Sequence, residues 1–177
     1  DYTCLMLHPS PLPKYRGGSP IQNQIIAGEK KSKVSIFIMN GEIDAGDIVG
    51  QDNISLEGTL DSIFKQIEIV GIRLTLKIIK NGMKAKPQNH NDATYFERRN
   101  KADSEITIDE ITDRSAEFLY NKIRMLHDPY PNAYIKTKDG KRLVILGARI
   151  EDALGSVQAA LRHGTLPGGG AALLAAK

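Results

Sequence analysis

The stretch that decides the fold is residues 4–22, which read CLMLHPSPLPKYRGGSPIQ. Its apolar start, Cys4–Leu7, predicts a buried strand. The three prolines within the next five positions after His8 suit neither a helix nor a central strand, so they predict a rigid loop. Ser19 and Pro20 are residue types favoured where a helix begins, and we predict a helix over residues 20–27.

The following elements continue the alternation of strands and helices. Val34–Met39 alternates apolar and polar residues, and Asp47–Ile54 reads as a second extended piece. Thr59 suits the N-cap of the longest helix, which we predict over Leu60–Asn81 because its apolar residues recur at helical spacing. Strands interleaved with helices predict an α/β fold.

Beyond residue 82 the pattern becomes more polar. Residues 83–91 predict a linker. Residues 109–126 carry apolar side chains near one helical face and predict a second long helix. Two short strands at 133–137 and 142–146, on either side of an Asp-Gly turn, predict a hairpin.

The composition is that of an ordinary globular protein, with 41% hydrophobic and 25% charged residues among 177. The net charge of +3 is mild and no basic stripe typical of a nucleic-acid-binding surface is evident. The one cysteine, Cys4, excludes an internal disulfide and suits a reducing compartment. We therefore expect a cytoplasmic protein without a membrane span or a metal site. The chain opens inside a predicted strand and without Met, so we also expect further sequence upstream.

Two polar residues, His8 and Asp44, follow predicted strands and are the candidates for chemistry. If both strands end at the same edge of a sheet, an imidazole and a carboxylate meet there. Such a pair can remove a proton from a nucleophile and stabilise developing charge. A single histidine after a strand is, however, more often structural, so position alone leaves both interpretations open.

The loops that hold these two residues together resemble the signature of the folate-dependent formyltransferases. The first loop is residues 8–20, and the second is the Asp-Ala-Gly turn at residues 44–46. Residues 95–99, 103–108, 123–124 and 129–133 are similar to the carboxy-terminal region of that family, so the resemblance runs over about residues 2–146. The family includes methionyl-tRNA, glycinamide ribonucleotide and sugar N-formyltransferases.

The resemblance implies an α/β fold of the formyltransferase type, with an incomplete Rossmann-like parallel sheet, a small carboxy-terminal region and a helical tail. It divides the chain into residues 1–86 from the catalytic domain, residues 87–146 from the carboxy-terminal region, and residues 147–177 as the tail. The strands and helices that precede the first loop in the family contribute half of its sheet and much of its folate site. Because the sequence lacks them, we expect the chain alone to be inactive.

The resemblance also implies a reaction, in which an amine attacks the formyl carbon of N10-formyltetrahydrofolate. His8 matches the histidine that stabilises the oxyanion, and Asp44 matches the aspartate that holds the imidazole charge and helps to remove the proton. The folate donor is expected to contact Gly41, Glu42, Ile43 and Asp44. The amine acceptor is expected to lie near Arg16, Gly17, Gly18, Ser19 and Gln22. A turn and a helix cap would explain this second set equally well.

The chain departs from the family at Met6, where many members carry an asparagine. A thioether cannot donate a hydrogen bond to an oxyanion. With a nonpolar residue there, residues 17–23 look more like formyltransferases grouped with sugar-nucleotide modification. We therefore predict a small-molecule amine on a sugar nucleotide as the acceptor, with methionyl-tRNA as the alternative.

The tail, residues 148–177, resembles a different family, the group I chaperonins. There Asp152 matches the acid that positions ATP hydrolysis, and Gly168 and Gly169 approach the nucleotide. The rest of that nucleotide pocket is absent, so we expect no function from these positions. The join near Gly147 indicates a chimera, and a non-catalytic fragment or chaperonin ATP-binding remnant is the alternative of another class.

Overall fold

The computed structural model describes residues 2–126 and 130–150, which alternate strands and helices as predicted. The α/β class is therefore confirmed. The strands are β1 (Leu5–His8), β2 (Arg16–Gly17), β3 (Lys31–Ile38), β4 (Ile48–Ser55), β5 (Tyr95–Phe96), β6 (Ala133–Lys136) and β7 (Arg142–Ile145). The α-helices are α1 (Pro20–Ile26), α2 (Leu60–Asn81), α3 (Ile108–Asp113) and α4 (Ala116–Arg124). Two short 3-10 helices lie at His90–Asp92 and Ala102–Ser104.

The main sheet has three strands in the order β1-β3-β4, and both pairs are antiparallel. The expected parallel direction is therefore not found in this sheet. For β3 and β4 the reason is the short connection, residues 39–47, because a parallel pair needs a crossover of roughly a dozen residues or more. Parallel pairing occurs between the two-residue strands β2 and β5.

Strand β1 is less buried than the sequence predicts. Within the described residues it pairs with β3 along one edge. Its residues Leu5, Met6 and Leu7 keep 39%, 38% and 40% of their surface exposed, whereas His8 at its end is buried. The side chain of Leu7 reaches α2, where a side chain in place of Gly71 would contact it at 2.5 Å.

Helix α2 has the predicted bounds and covers the sheet. It begins after Thr59, whose hydroxyl accepts a hydrogen bond from the Ser62 N–H at 3.3 Å, and it ends before Gly82, which has φ 77°. Its buried face packs into a core with α1, β3 and β4, formed in part by Ile21, Ile25, Val34, Ile54, Ile63 and Ile67. Burying each such side chain contributes roughly 1.5–3 kcal/mol, so this core fixes the strands that lead to the site.

The prediction of one long helix over residues 109–126 is wrong, because two shorter helices, α3 (Ile108–Asp113) and α4 (Ala116–Arg124), lie there. Arg114 between them is extended, with φ −102° and ψ 154°. The Ser115 hydroxyl accepts from the Phe118 N–H at 3.2 Å and starts α4 afresh. A serine that caps a new helix competes with continuation of the old one, and apolar periodicity alone does not reveal this.

Two further local predictions need correction. Ser19 does not cap α1 through its side chain; it has φ 50°, and its hydroxyl accepts from the Arg99 N–H at 3.1 Å. The polar segment 83–91 is not a free linker, because Lys86 exchanges two backbone hydrogen bonds with Ile48, at 2.8 and 2.9 Å. The hairpin of β6 and β7 is confirmed, with Gly140 at φ 77° in its turn.

In the part of the chain that the structure describes, no helix is long and apolar enough to cross a membrane. The predicted chaperonin-like positions, Asp152, Gly168 and Gly169, lie outside the described residues. The division of the chain at residues 87 and 147 stays a prediction.

Candidate active site

His8 ends β1 and lies between two acceptors. Its Nε2 is 2.8 Å from the carbonyl oxygen of Tyr15, and its Nδ1 is 3.5 Å from Oδ2 of Asp44. The two side chains are 8% and 11% exposed. The residues that the sequence analysis selected for chemistry therefore share one largely buried site. An imidazole that carries protons on both nitrogens can donate to the carbonyl and the carboxylate together.

The carboxylate is presented by residues 39–47, which we call the aspartate loop. Asp44 has φ 51°, the left-handed region that few side chains other than asparagine and aspartate adopt. Its Oδ2 accepts a hydrogen bond from the Gly17 N–H at 2.7 Å. A charged acceptor and a backbone donor at this distance form a strong hydrogen bond, which aims the carboxylate at His8.

The histidine is framed by residues 9–19, which we call the proline-rich loop. Its Ser10 is buried, and its carbonyl accepts from the Ser35 hydroxyl at 2.6 Å. Its Leu12 carbonyl accepts from the Gln51 amide at 3.0 Å. These bonds tie the first part of the loop, which directly follows His8, to β3 and β4.

The residues predicted to lie near the amine acceptor differ in how deeply they are buried. Arg16 is 0% exposed, so its guanidinium lies in the protein interior and supports the site from there. Gly17 has φ 88°, and a Cβ there would collide with the Phe96 carbonyl oxygen, so glycine is required for the close approach of β2 and β5. Gly18 and Ser19 are half-buried on the same turn. Gln22 is 3% exposed, and its amide nitrogen has no partner within the described residues.

The predicted folate residues lie at the open tip of the aspartate loop. Gly41 and Glu42 are exposed, and the Glu42 N–H donates to the Asn40 side chain at 3.0 Å. Ile43 keeps 67% of its surface exposed. An exposed isoleucine beside a buried His–Asp pair offers apolar surface to a flat ring next to the reactive groups. Met6 precedes His8 by two positions and so shares its face of β1.

The sequence analysis did not identify the segment around Gln88 and Thr94, which contacts the site residues on their buried side. Thr94 accepts from Arg16 N–H at 2.8 Å through its carbonyl and from Tyr15 N–H at 2.8 Å through its hydroxyl. The amide of Gln88 contacts both Arg16 and the aspartate loop. Both residues lie in or beside the polar segment assigned to a linker, and an amide in a polar segment gives no local signal of burial.

The Tyr15 phenol lies beside the site and is partly buried. Burial raises its pKa, and the neighbouring carboxylate of Glu29, which accepts from the phenol at 3.2 Å, raises it further. Its ring stacks on Phe96 with centroids 5.2 Å apart. Within residues 2–126 and 130–150 no group of three or more histidine, cysteine or acidic side chains could hold a metal ion.

A buried imidazole beside a carboxylate can act as a general acid and base. A family model described as formyl transferase matches residues 1–69. A methionyl-tRNA formyltransferase from Clostridium thermocellum has a solved structure that matches with a TM-score of 0.69 and 34% identity, covering 82% of this chain and 68% of that one. The chain belongs to the formyltransferase family.

Among the curated proteins, the chain is similar to the methionyl-tRNA formyltransferase of Rickettsia prowazekii, with 37% identity over 142 residues. That match covers 78% of this chain and 45% of the relative, so the chain spans about half the length of the curated relatives it matches. A 4-N formyltransferase from Francisella tularensis shares the fold at 23% identity, with a TM-score of 0.71 over 85% of this chain and 63% of that one.

Proposed function

We propose that this chain carries part of a catalytic centre that transfers a formyl group from N10-formyltetrahydrofolate to an amine. The observation that carries the proposal is the 3.5 Å approach of His8 Nδ1 to Asp44 Oδ2 in a largely buried site. Membership of the family supports the donor. The open, apolar tip of the aspartate loop, with Ile43 exposed, suits a flat folate ring.

In this reaction the amine nitrogen bonds to the formyl carbon, and the bond from that carbon to N10 breaks. As the formyl oxygen gains negative charge, it replaces the Tyr15 carbonyl as the acceptor of the His8 Nε2–H, while Nδ1–H stays directed at Asp44. Asp44 stabilises the imidazolium, and its carboxylate takes the proton that the amine loses and passes it to N10. N10 leaves with a proton, so the net change is the exchange of a formyl group for a hydrogen between two nitrogens.

The acceptor that we propose is methionyl-tRNA, the alternative given in the sequence analysis, in preference to an amino sugar nucleotide. The relatives at 34% and 37% identity are methionyl-tRNA formyltransferases. The 4-N formyltransferase at 23% identity shares the fold alone and does not argue for its acceptor. The prediction of a sugar rested on the run of residues 17–23 together with Met6, and the loss of one oxyanion donor at Met6 contains no information about the shape of the acceptor.

The test is a hybrid enzyme, since the chain spans about half of its relatives. Residues 2–146 replace the matching stretch of the Rickettsia prowazekii protein, and formylation of methionyl-tRNA is compared with formylation of an amino sugar nucleotide. We expect transfer to methionyl-tRNA, and a loss of roughly a hundredfold or more in His8→Ala and Asp44→Asn.

The matched control is Asp47→Asn, which removes an exposed carboxylate from the same loop and should leave the rate unchanged. A hybrid that melts like its parent but transfers no formyl group would support the non-catalytic alternative. Preferential transfer to the amino sugar would restore the earlier prediction. Met6→Asn supplies a donor, and we expect it to raise kcat because one oxyanion donor is worth about a hundredfold.

A further inference from the structure

Gln88 makes four hydrogen bonds with one side-chain amide, and it is 5% exposed. Its Nε2 donates to the carbonyl oxygens of Asp44 at 2.9 Å and Gly46 at 2.7 Å. Its Oε1 accepts from Arg16 Nε at 3.2 Å and from Arg16 Nη2 at 2.7 Å. Both donors and the acceptor are therefore engaged, which leaves the amide one orientation.

The orientation is set by Arg16, which is wholly buried. Besides Gln88, its guanidinium donates to the Tyr95 hydroxyl at 2.5 Å and lies 3.4 Å from His90 Nδ1. Within the described residues no carboxylate forms an ion pair with it. Arginine donates and does not accept, so only the carbonyl end of the Gln88 amide can face it. The nitrogen end must then face the aspartate loop.

Asp44 is consequently held at both of its ends by neighbouring residues. The Gly17 N–H holds its carboxylate, and Arg16, the residue before Gly17, holds its backbone carbonyl through Gln88. Left-handed backbone at a residue other than glycine costs about 1 kcal/mol or more and persists where surrounding contacts enforce it. Because residues 40–43 are exposed, those contacts lie at the root of the loop.

We propose that Gln88 is a positioning residue for Asp44, and that the buried Arg16 fixes the orientation in which Gln88 acts. This role rests on the proposed function only where it concerns the rate of formyl transfer. The hydrogen bonds that hold Asp44 in place belong to the chain itself and do not depend on the reaction. Because Gln88 is buried, we expect it to contact neither donor nor acceptor, so its loss should lower kcat by about tenfold and leave the KM values nearly unchanged.

The experiment follows the Gly17 amide in the proton–nitrogen correlation spectrum of the full 177-residue chain. A short bond to a carboxylate moves an amide proton downfield and slows its exchange with solvent. In Asp44→Asn this signal should move upfield. In Gln88→Ala and Gln88→Glu it should move the same way, with exchange about tenfold faster, the change expected for loss of one charge-assisted hydrogen bond.

Gln88→Glu separates positioning from stability. A glutamate keeps and strengthens the contact with Arg16 but cannot donate to the carbonyls of Asp44 and Gly46, so the chain should stay folded while the hydrogen bonds that hold Asp44 in place are lost. Gln51→Ala is the matched control, because Gln51 donates in the same way to Leu12 and Ser35 without touching Asp44. Its urea unfolding should change while its Gly17 signal does not.

A Gly17 signal that is unchanged in both Gln88 variants and shifted in Asp44→Asn would overturn the proposal. So would an unshifted signal in Asp44→Asn, because the carboxylate would then not be bound to Gly17. If the Gly17 signal shifts in the Gln88 variants but the hybrid enzyme with the same changes keeps its kcat, the role of Gln88 in the reaction is refuted. A hybrid that transfers no formyl group refutes the proposed function and leaves the result on the hydrogen bonds that hold Asp44 standing.

Discussion

The two loops that build the site are held in opposite ways. The proline-rich loop is fastened along its length, with Ser10 and Leu12 buried and their carbonyls bonded to side chains of β3 and β4. The aspartate loop is exposed from Asn40 to Ile43 and is fastened at its two ends, where the Met39 N–H donates to the Cys4 carbonyl and the Asp44 carboxylate accepts from the Gly17 N–H. One loop is a scaffold for His8, whereas the other combines a fixed carboxylate with a tip that is free to meet a ligand.

This difference separates stability from binding within one site. Contacts that hold the proline-rich loop also hold the sheet, so changing them should lower the free energy of unfolding. Contacts at the tip of the aspartate loop support nothing else in the described structure, so changing them should alter ligand affinity alone. The predictions below test this division, beginning with the largest expected effect.

Replacing Arg16 with alanine should cause the largest loss of stability. The change leaves the Gln88 carbonyl and the Tyr95 hydroxyl without their donor and opens a cavity in a site with no solvent exposure. We expect the free energy of unfolding in urea to fall by about 3 kcal/mol or more. Arg73→Ala, which removes an exposed ion pair with Asp52, should cost less than about 1 kcal/mol. Equal losses in the two variants would contradict the division.

A pair of glycine substitutions compares the loops directly. Gly17→Ala places a Cβ against the Phe96 carbonyl oxygen at φ 88°, so we expect a loss of about 2 kcal/mol. Gly41→Ala meets no atom within 4 Å and should change stability by less than about 0.5 kcal/mol. Thermal unfolding of the two variants beside the parent chain measures both. A Gly41→Ala variant as unstable as Gly17→Ala would show that the tip is not free.

Elements with strong local signals were predictable from the sequence. Helix α2 has a threonine cap, a long apolar stripe and a glycine at its end, and its predicted bounds are confirmed. The hairpin of β6 and β7 follows from its Asp-Gly turn. The break between α3 and α4 was missed because the apolar stripe continues across Arg114, while the stop depends on the competing cap at Ser115.

The candidate site was half predictable. His8 and Asp44 each end or follow a strand, so a shared pocket could be expected, and the structure brings the two together. The partner that orients Asp44 could not be expected, because Gln88 meets Arg16 across 72 positions of sequence. Such a contact depends on how β5 returns to β2, and polar composition alone gives no indication of that path.

The tip of the aspartate loop should affect donor binding without affecting stability. Ile43→Ala removes an exposed apolar side chain, so the unfolding temperature of the hybrid enzyme should stay constant. If Ile43 packs on the folate ring, the KM for N10-formyltetrahydrofolate should rise about tenfold, as expected for the loss of roughly 1–2 kcal/mol of apolar contact. Ile69→Ala, an exposed isoleucine on α2, is the control and should leave KM unchanged. An unchanged KM in Ile43→Ala would place the donor elsewhere.

The smallest effect concerns the phenol of Tyr15 in the proline-rich loop. Burial, followed by the charge and hydrogen bond of Glu29, raises its pKa above the ordinary value of 10.0. A raised pKa in the folded chain means that the stabilising contribution of the neutral phenol is complete below about pH 10 and is lost as pH rises through the folded pKa.

Tyr15→Phe keeps the ring stacked on Phe96 and removes the titration. In urea unfolding at a series of pH values, the parent chain should therefore lose stability relative to Tyr15→Phe only above about pH 10. Tyr2→Phe, at an exposed tyrosine, is the control and should follow the parent throughout. If the free energies of unfolding of the parent and of Tyr15→Phe differ by the same amount at every pH, the proline-rich loop does not shield the phenol. The loop would then be less rigidly closed over His8 than its hydrogen bonds indicate.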